Sequence, residues 1–385
     1  MRGVIFLCLV CCLLSCKQHS DNKVNTAPDS PLSIATEILY AQGFSILKLD
    51  SGITIITVHS PWPNSESTFR YALVPKEKAL DSNLNTADYD AVIPIPIERL
   101  VVTSTTHIPA LEALGVEDRL VGFPGTEYIS SKKTRTRIAN GKIINLGTNE
   151  SMNTELVLSI QPNLVVGFGI ASENKGYETL KRSNIPVVYN GDWTEKSPLG
   201  KAEWIKFFAP FFGMEKKADT VFQSIEASYV AVKRLAQSAK QTPMVMSGAL
   251  YKDVWYAPGG QSWAAEFIRD ANANYLWKNT SETGSLSLSI ESVLNDGKSA
   301  DFWISPSQFT SYSELENDTW HYKQFEAYTN KTIYTYALSK GATGGLLFFE
   351  LGPNRPDLIL KDLIHIFHPK VLPDHTPVFF KPLNN

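Results

Sequence analysis

One uninterrupted stretch near the middle of the chain limits the possible folds more than any other feature. Over residues 216–240 the apolar positions Ala218, Phe222, Ile225, Tyr229, Val232 and Ala236 recur at intervals of four, three, four, three and four, with no glycine or proline among them. That spacing places one apolar stripe along one helix face. The segment starts soon after Gly213 and ends before Pro243, which predicts a rod of about 35 Å at 1.5 Å per residue. A stripe of that length needs a core to cover it at both ends, so the segments before and after it must each supply one. The chain has 385 residues, 43% hydrophobic and 19% charged. This is enough for two cored domains and far from a disordered or fibrous composition.

The flanking segments read as α/β layers. Before the rod, residues 44–58 alternate around Asp50-Ser51-Gly52 as a hairpin, and Phe69 to Val74 adds a strand. Ile97 to Val102 is a buried strand, Thr103-Ser104-Thr105-Thr106 a hydroxyl-rich turn, and the following helix ends at Gly115. Leu120-Val121-Gly122, Asn163 to Phe168 and Ile185 to Tyr189 are further strands, with a helix over Asn153 to Ile160. After the rod, Met244 to Met246, Asp301 to Ser305 and Thr332 to Tyr336 read as strands, and Trp263 to Arg269 and Pro356 to Phe367 as helices. Strands alternating with helices at this spacing argue for parallel sheets. A weak repeat supports two similar lobes: Glu155-Leu-Val-Leu leads to Asn163-Leu-Val-Val, and Glu291-Ser-Val-Leu leads to Asp301-Phe-Trp-Ile.

The first 16 residues, MRGVIFLCLVCCLLSC, place Arg2 before an apolar run too short to span a bilayer comfortably. Leu13-Leu14-Ser15-Cys16 resembles a bacterial lipobox, which implies cleavage before Cys16 and lipidation there; the alternative is a plain secretory signal cut later. Residues 17–37 read as a flexible tether. All four cysteines lie at positions 8, 11, 12 and 16, so the folded body is expected to hold no disulfide, thiol nucleophile or cysteine metal site.

The chemistry of the body points to binding. The sequence has no HExxH, GxSxG or P-loop pattern, and no metal site is expected. A net charge of −3 argues against nucleic acid as a partner. Aromatic residues gather where strands meet helices, and ligands of α/β layers bind at the carboxyl ends of strands. Tyr128, Trp193, Tyr251, Trp255, Tyr256 and Trp263 are therefore candidate ligand contacts, with Trp193, Tyr251, Trp255 and Tyr256 read as exposed because Gly191, Asp192, Lys252 and Asp253 flank them. Phe302 and Trp303, inside a strand, read as core. Thr105 and Thr106 either cap a helix or bind a polar ligand edge. His107 is equally a ligand group or a locally bonded residue. The basic run Ser131 to Arg137 reads as a loop, either solvated or facing an anion. His365 and His368 read as helix-end residues.

The lipobox, the strand–STT–helix start, the Glu-led helix before Pro162-Asn163-Leu164-Val165-Val166, the single linking helix and the ending from Arg355-Pro356-Asp357-Leu358 to His368-Pro369 together resemble a known family. These are the substrate-binding lipoproteins of ATP-binding-cassette importers for iron–siderophores, haem and vitamin B12 (class III periplasmic binding proteins), in a Bacteroidetes-like variant. The resemblance covers roughly residues 40–372. It implies two Rossmann-like lobes, over 38–215 and 241–385, joined by the rigid helix 216–240. It implies a metal chelate, such as a ferric siderophore or cobalamin, in the cleft between the lobes, with no resident cofactor. It also implies one surface glutamate per lobe, Glu155 and Glu291, docking onto an importer permease, and a monomer tethered by lipid in the periplasm or cell envelope. No arginine follows the Val165–Phe168 strand, where some siderophore binders place one, which leaves cobalamin-like solutes open. The contrasting expectation from the α/β pattern alone is a lipid-anchored hydrolase, and a third is an adhesive surface lipoprotein without a cleft.

Overall fold

A computed structural model describes residues 33–78, 84–169 and 174–385. Cys16 and most of the expected tether lie outside the described residues. The first element inside them, β1 (Ser33–Ala35), pairs antiparallel with β2 (Phe44–Leu49), so the end of the expected tether is an edge strand. With β3 (Thr54–His59), β4 (Thr68–Pro75) and β5 (Ala91–Ile95) it forms an accessory five-stranded sheet in the order β1-β2-β3-β4-β5. The sequence reading found the β2–β3 hairpin and β4. It did not find that β5 adds in parallel to close the sheet.

The N-terminal lobe is built on β6 (Leu100–Val102), β7 (Leu120–Phe123), β8 (Ile144–Asn145), β9 (Leu164–Phe168) and β10 (Val187–Asn190), parallel throughout in the order β10-β9-β6-β7-β8. The C-terminal lobe contains β11 (Met244–Ser247), a small antiparallel insert of β12 (Ala249–Tyr251), β13 (Val254–Pro258) and β15 (Ser285–Leu288), and then β14 (Asn274–Tyr275), β16 (Phe302–Ile304), β17 (Ile333–Thr335) and β18 (Lys381–Pro382). Its main sheet runs β14-β11-β16-β17-β18, with only β18 antiparallel. Counted along each lobe, the orders are 3-2-1-4-5 and 2-1-3-4-5. Both are doubly wound arrangements that leave a crevice where the strand order reverses.

Between the lobes runs the helix Glu215–Ala236. All six residues of its predicted stripe are buried. Ala218, Phe222 and Ile225 belong to the N-terminal core, and Tyr229, Val232 and Ala236 to the C-terminal core. One helix therefore carries two cores end to end. The last helix, Pro356–Phe367, lies against it and begins with proline, which a first helical turn tolerates.

The basic run does not form a loop. Lys132–Ala139 is a helix whose N-cap, Ser131, accepts the Thr134 N–H. Its cations are used locally: Arg135 and Arg137 donate to the carbonyls of Thr126 and Asp118, and Lys133 pairs with Glu117. Lys and Arg are good helix formers, so a run rich in them folds as a helix once Ser131 caps it.

Candidate ligand cleft

The accessory sheet is fastened to the N-terminal lobe by two buried carboxylates. The backbone N–H groups of Leu39, Tyr40 and Ala41 donate to Glu203, and those of Gln42 and Gly43 donate to Glu195. Lys206 neutralises Glu203 at 2.9 Å, and the Trp204 indole N–H reaches Glu195 at 3.1 Å. Charge-assisted bonds of this kind fix the segment firmly.

Two hollows lie between the lobes at the carboxyl ends of the strands. The larger, about 860 Å³, is walled by Trp193 and Lys196 from the N-terminal lobe and by Tyr256, Trp263 and Ser285 from the C-terminal lobe. The smaller, about 400 Å³, sits over the crevice between β6 and β9. Thr105, Tyr128 and Phe168 line one side of it, and Gln308, Gly345 and Phe349 the other. The Phe168 ring, on the smaller hollow, stands 5.4 Å from the Trp193 ring, on the larger. Trp193 is held in place by its own indole N–H, which donates to the Gly169 carbonyl at 3.2 Å. Large rigid rings of this kind offer contact area at little entropic cost.

The structure brings Thr105, Tyr128, Trp193, Tyr256 and Trp263 to the cleft walls. The other four expected ligand contacts are elsewhere. Trp255 is fully buried; its ring lies 5.4 Å from Trp303 and 5.7 Å from Phe325, and its indole N–H donates to the Ser247 carbonyl. Strand parity is the cause: β13 alternates, so Trp255 and Ala257 face the core and Tyr256 faces out. Tyr251 is 65% exposed but lines neither hollow; its ring faces Tyr256 and Lys252. His107 is completely buried beside Phe208, both ring nitrogens lack partners, and burial holds its pKa down. Thr106 makes no side-chain cap; its hydroxyl meets Ser104, and its carbonyl accepts from Asn354 across the lobes. His365 and His368, read as helix-end residues, bond to the carbonyls of Leu372 and Ala271.

Sequence reasoning missed the seam that joins the lobes. Glu350, on the C-terminal lobe, accepts the Ser130 and Ser131 backbone N–H groups at the start of the helix Lys132–Ala139. Ser130 returns a bond to the Gly345 carbonyl, and Thr343 donates to that of Glu127. Glycine at 345 is required here, because a Cβ would fall 2.1 Å from the Tyr128 carbonyl oxygen. Burial pushes the Glu350 carboxyl up to about 7, against the pull of its two N–H donors. On the opposite side of the cleft, Lys201 donates to the carbonyls of Asp192 and Trp193 and sits 5.2 Å from the Trp263 ring. Burial brings its ammonium down to about 8. Among the described residues, no three His, Cys, Asp or Glu side chains converge on a metal-sized site.

Glu155 and Glu291 occupy matching places. Each is the second residue of its helix, Thr154–Ile160 or Ile290–Gly297, and each helix is capped by the residue before it, Asn153 or Ser289. Both carboxylates are exposed. The Glu291 carboxyl is held below the usual range by its own backbone N–H and the Ser289 hydroxyl.

The fold and the cleft agree with what other proteins show. The family model described as "Periplasmic binding protein" matches residues 100–337, more than half of the chain. The uncharacterised lipoprotein MJ0878 of Methanocaldococcus jannaschii is 25% identical over 384 residues, covering 95% of this chain and 90% of its own length. A periplasmic binding protein from Veillonella parvula superposes with a TM-score of 0.58 at 16% identity, covering 84% of this chain and 95% of that one. The periplasmic heme-binding protein RhuT from Roseiflexus superposes with a TM-score of 0.52 at 19% identity, covering 69% and 99%. The hydrolase reading gives way here, because the matching family is one of solute binders. The linking helix, the two doubly wound lobes and the family match together place this chain among the periplasmic binding proteins, which hold a solute rather than transform one.

Proposed function

We propose that the protein captures a metal chelate, such as a ferric siderophore, haem or cobalamin, in the inter-lobe cleft and presents it to the permease of an ATP-binding-cassette importer. The observation that carries this reading is the pair of ring-walled hollows at the strand ends of both lobes. Their size suits a bulky, partly apolar solute. What similar proteins bind leans the same way: one is a heme-binding protein, another a possible iron-binding solute-binding protein from Staphylococcus epidermidis. The M. jannaschii relative is called a lipoprotein, in keeping with a lipid on Cys16 in the cell envelope. The seam at Glu350 and the helix shared by both cores favour small lobe motions over wide hinge closure.

Glu155 and Glu291 are the docking groups in this reading, one per lobe, offered to cationic partners on the permease. Such charge-assisted contacts set register and on-rate more than affinity. Replacing both by alanine abolishes uptake in whole cells and leaves solute affinity within about twofold; an equal loss of binding removes the docking role. Titration of a panel of coloured chelates, followed by tryptophan quenching, tests the capture step, and saturable turnover of any chelate contradicts it.

A further inference from the structure

The turn between β3 and β4 does more than close a hairpin. Residues 59–64 lie outside the segment matched by the family model, yet His59, Ser60, Trp62, Pro63 and Asn64 all line the larger hollow. The turn is seated on the carboxyl ends of β9 and β10 through two glycines. A Cβ on Gly169 would meet the Trp62 ring at 3.0 Å, and one on Gly191 would meet the Pro61 Cα at 3.0 Å. Trp62 is buried against Phe69 and Tyr189, which leaves His59, Ser60 and Asn64 as exposed polar groups at the wall, with the ring and the amide as the two larger ones. Asn64 takes a positive φ of 60°, a conformation asparagine tolerates.

The hollow carries little net charge. Glu195 is tied by the N–H groups of Gln42 and Gly43 and by Trp204, which leaves Lys196 as the one free cation lining the hollow among the described residues. No arginine lines it among the described residues. The remaining polar groups are hydroxyls, amides and the His59 imidazole, set among Trp193, Tyr256 and Trp263. A multiply charged anion would lose its hydration there with one cation to replace it. A ring-bearing solute of low net charge, edged with amide or hydroxyl groups, would find partners on every side.

We propose that the β3–β4 turn is a third wall of the ligand site, that His59 and Asn64 set specificity from it, and that the preferred solute is a near-neutral chelate with a hydrogen-bonding periphery. This rests on the chelate-binding reading above and narrows it.

Calorimetric titration of the full chain separates the two. The probes are cyanocobalamin, ferrioxamine and a ferric tris-catecholate trianion. Unaltered protein is expected to bind one of the first two at least tenfold more tightly than the trianion. His59→Ala combined with Asn64→Gly, which keeps the left-handed backbone, is expected to weaken that binding at least tenfold without moving the melting temperature. Tyr128→Ala with Phe349→Ala, in the smaller hollow, serves as the comparison. Loss of binding in this second pair alone overturns the third wall and leaves the chelate reading standing. Tighter binding of the trianion overturns the near-neutral preference. Binding of none of the three by unaltered protein overturns the chelate reading and the inference together.

Discussion

The first strand of each lobe sits at the point where its sheet order reverses, and the two strands end very differently. After β6 the chain leaves its carboxyl end open: Thr103 is buried, Thr105 faces the smaller hollow, and the helix starts at His107. After β11 the chain turns at Gly248, where a Cβ would fall 2.0 Å from the Tyr256 carbonyl oxygen, and lays the β12–β13–β15 insert over the strand end. The same junction is therefore a rim in one lobe and a roof in the other. An aromatic residue at the strand ends lines the cleft in the first lobe and fills a core in the second. Trp193 and Trp255 are the two outcomes.

That contrast is open to direct challenge. Trp255→Ala is expected to cost about 3–5 kcal/mol of stability, the usual range for deleting a buried aromatic ring, with solute affinity little changed in whatever fraction stays folded. Denaturant unfolding and titration of the same sample check both halves, and a stable variant with lost affinity reverses the assignment. Next in size is the seam. Glu350→Ala strands two buried N–H donors and is expected to cost about 1–3 kcal/mol. Because the Glu350 carboxyl is raised from the ordinary 4.5 to about 7, the folded state holds a proton that the unfolded chain has released. Stability from this group is complete below about 4.5 and falls as pH rises towards about 7. Unfolding midpoints measured across that window should fall in the parent protein and lie flatter in the variant. The smallest effect is at the rim. Trp193→Ala is expected to weaken solute binding about tenfold, or about 1.4 kcal/mol, with stability nearly intact; an unchanged dissociation constant takes Trp193 off the cleft wall.

Periodicity made some of this legible and parity hid the rest. The stripe from Ala218 to Ala236 was readable because a helix repeats every 3.6 residues whatever it touches, and each of those side chains is buried where the spacing put it. Pro356–Phe367 was readable from its proline start and apolar period. The paired glutamates surfaced through an internal repeat and stand at the start of matching helices. A short strand is harder, because alternation fixes that neighbours face opposite ways without saying which way is inward. Trp255 and Tyr256 were both expected at the surface, and only the insert's partners decide between them. The seam was invisible for a different reason. Glu350 and Ser130 are 220 residues apart, and nothing local marks a carboxylate that caps a helix on the other lobe. The accessory turn escaped notice because its role depends on glycines at 169 and 191 making room for it.

The linking helix contributes three apolar side chains to one core and three to the other. Cutting the chain anywhere near its middle leaves each fragment with an oily flank and no mate to cover it. Neither half is therefore a module that can be lifted out and grafted elsewhere with its oily surface covered.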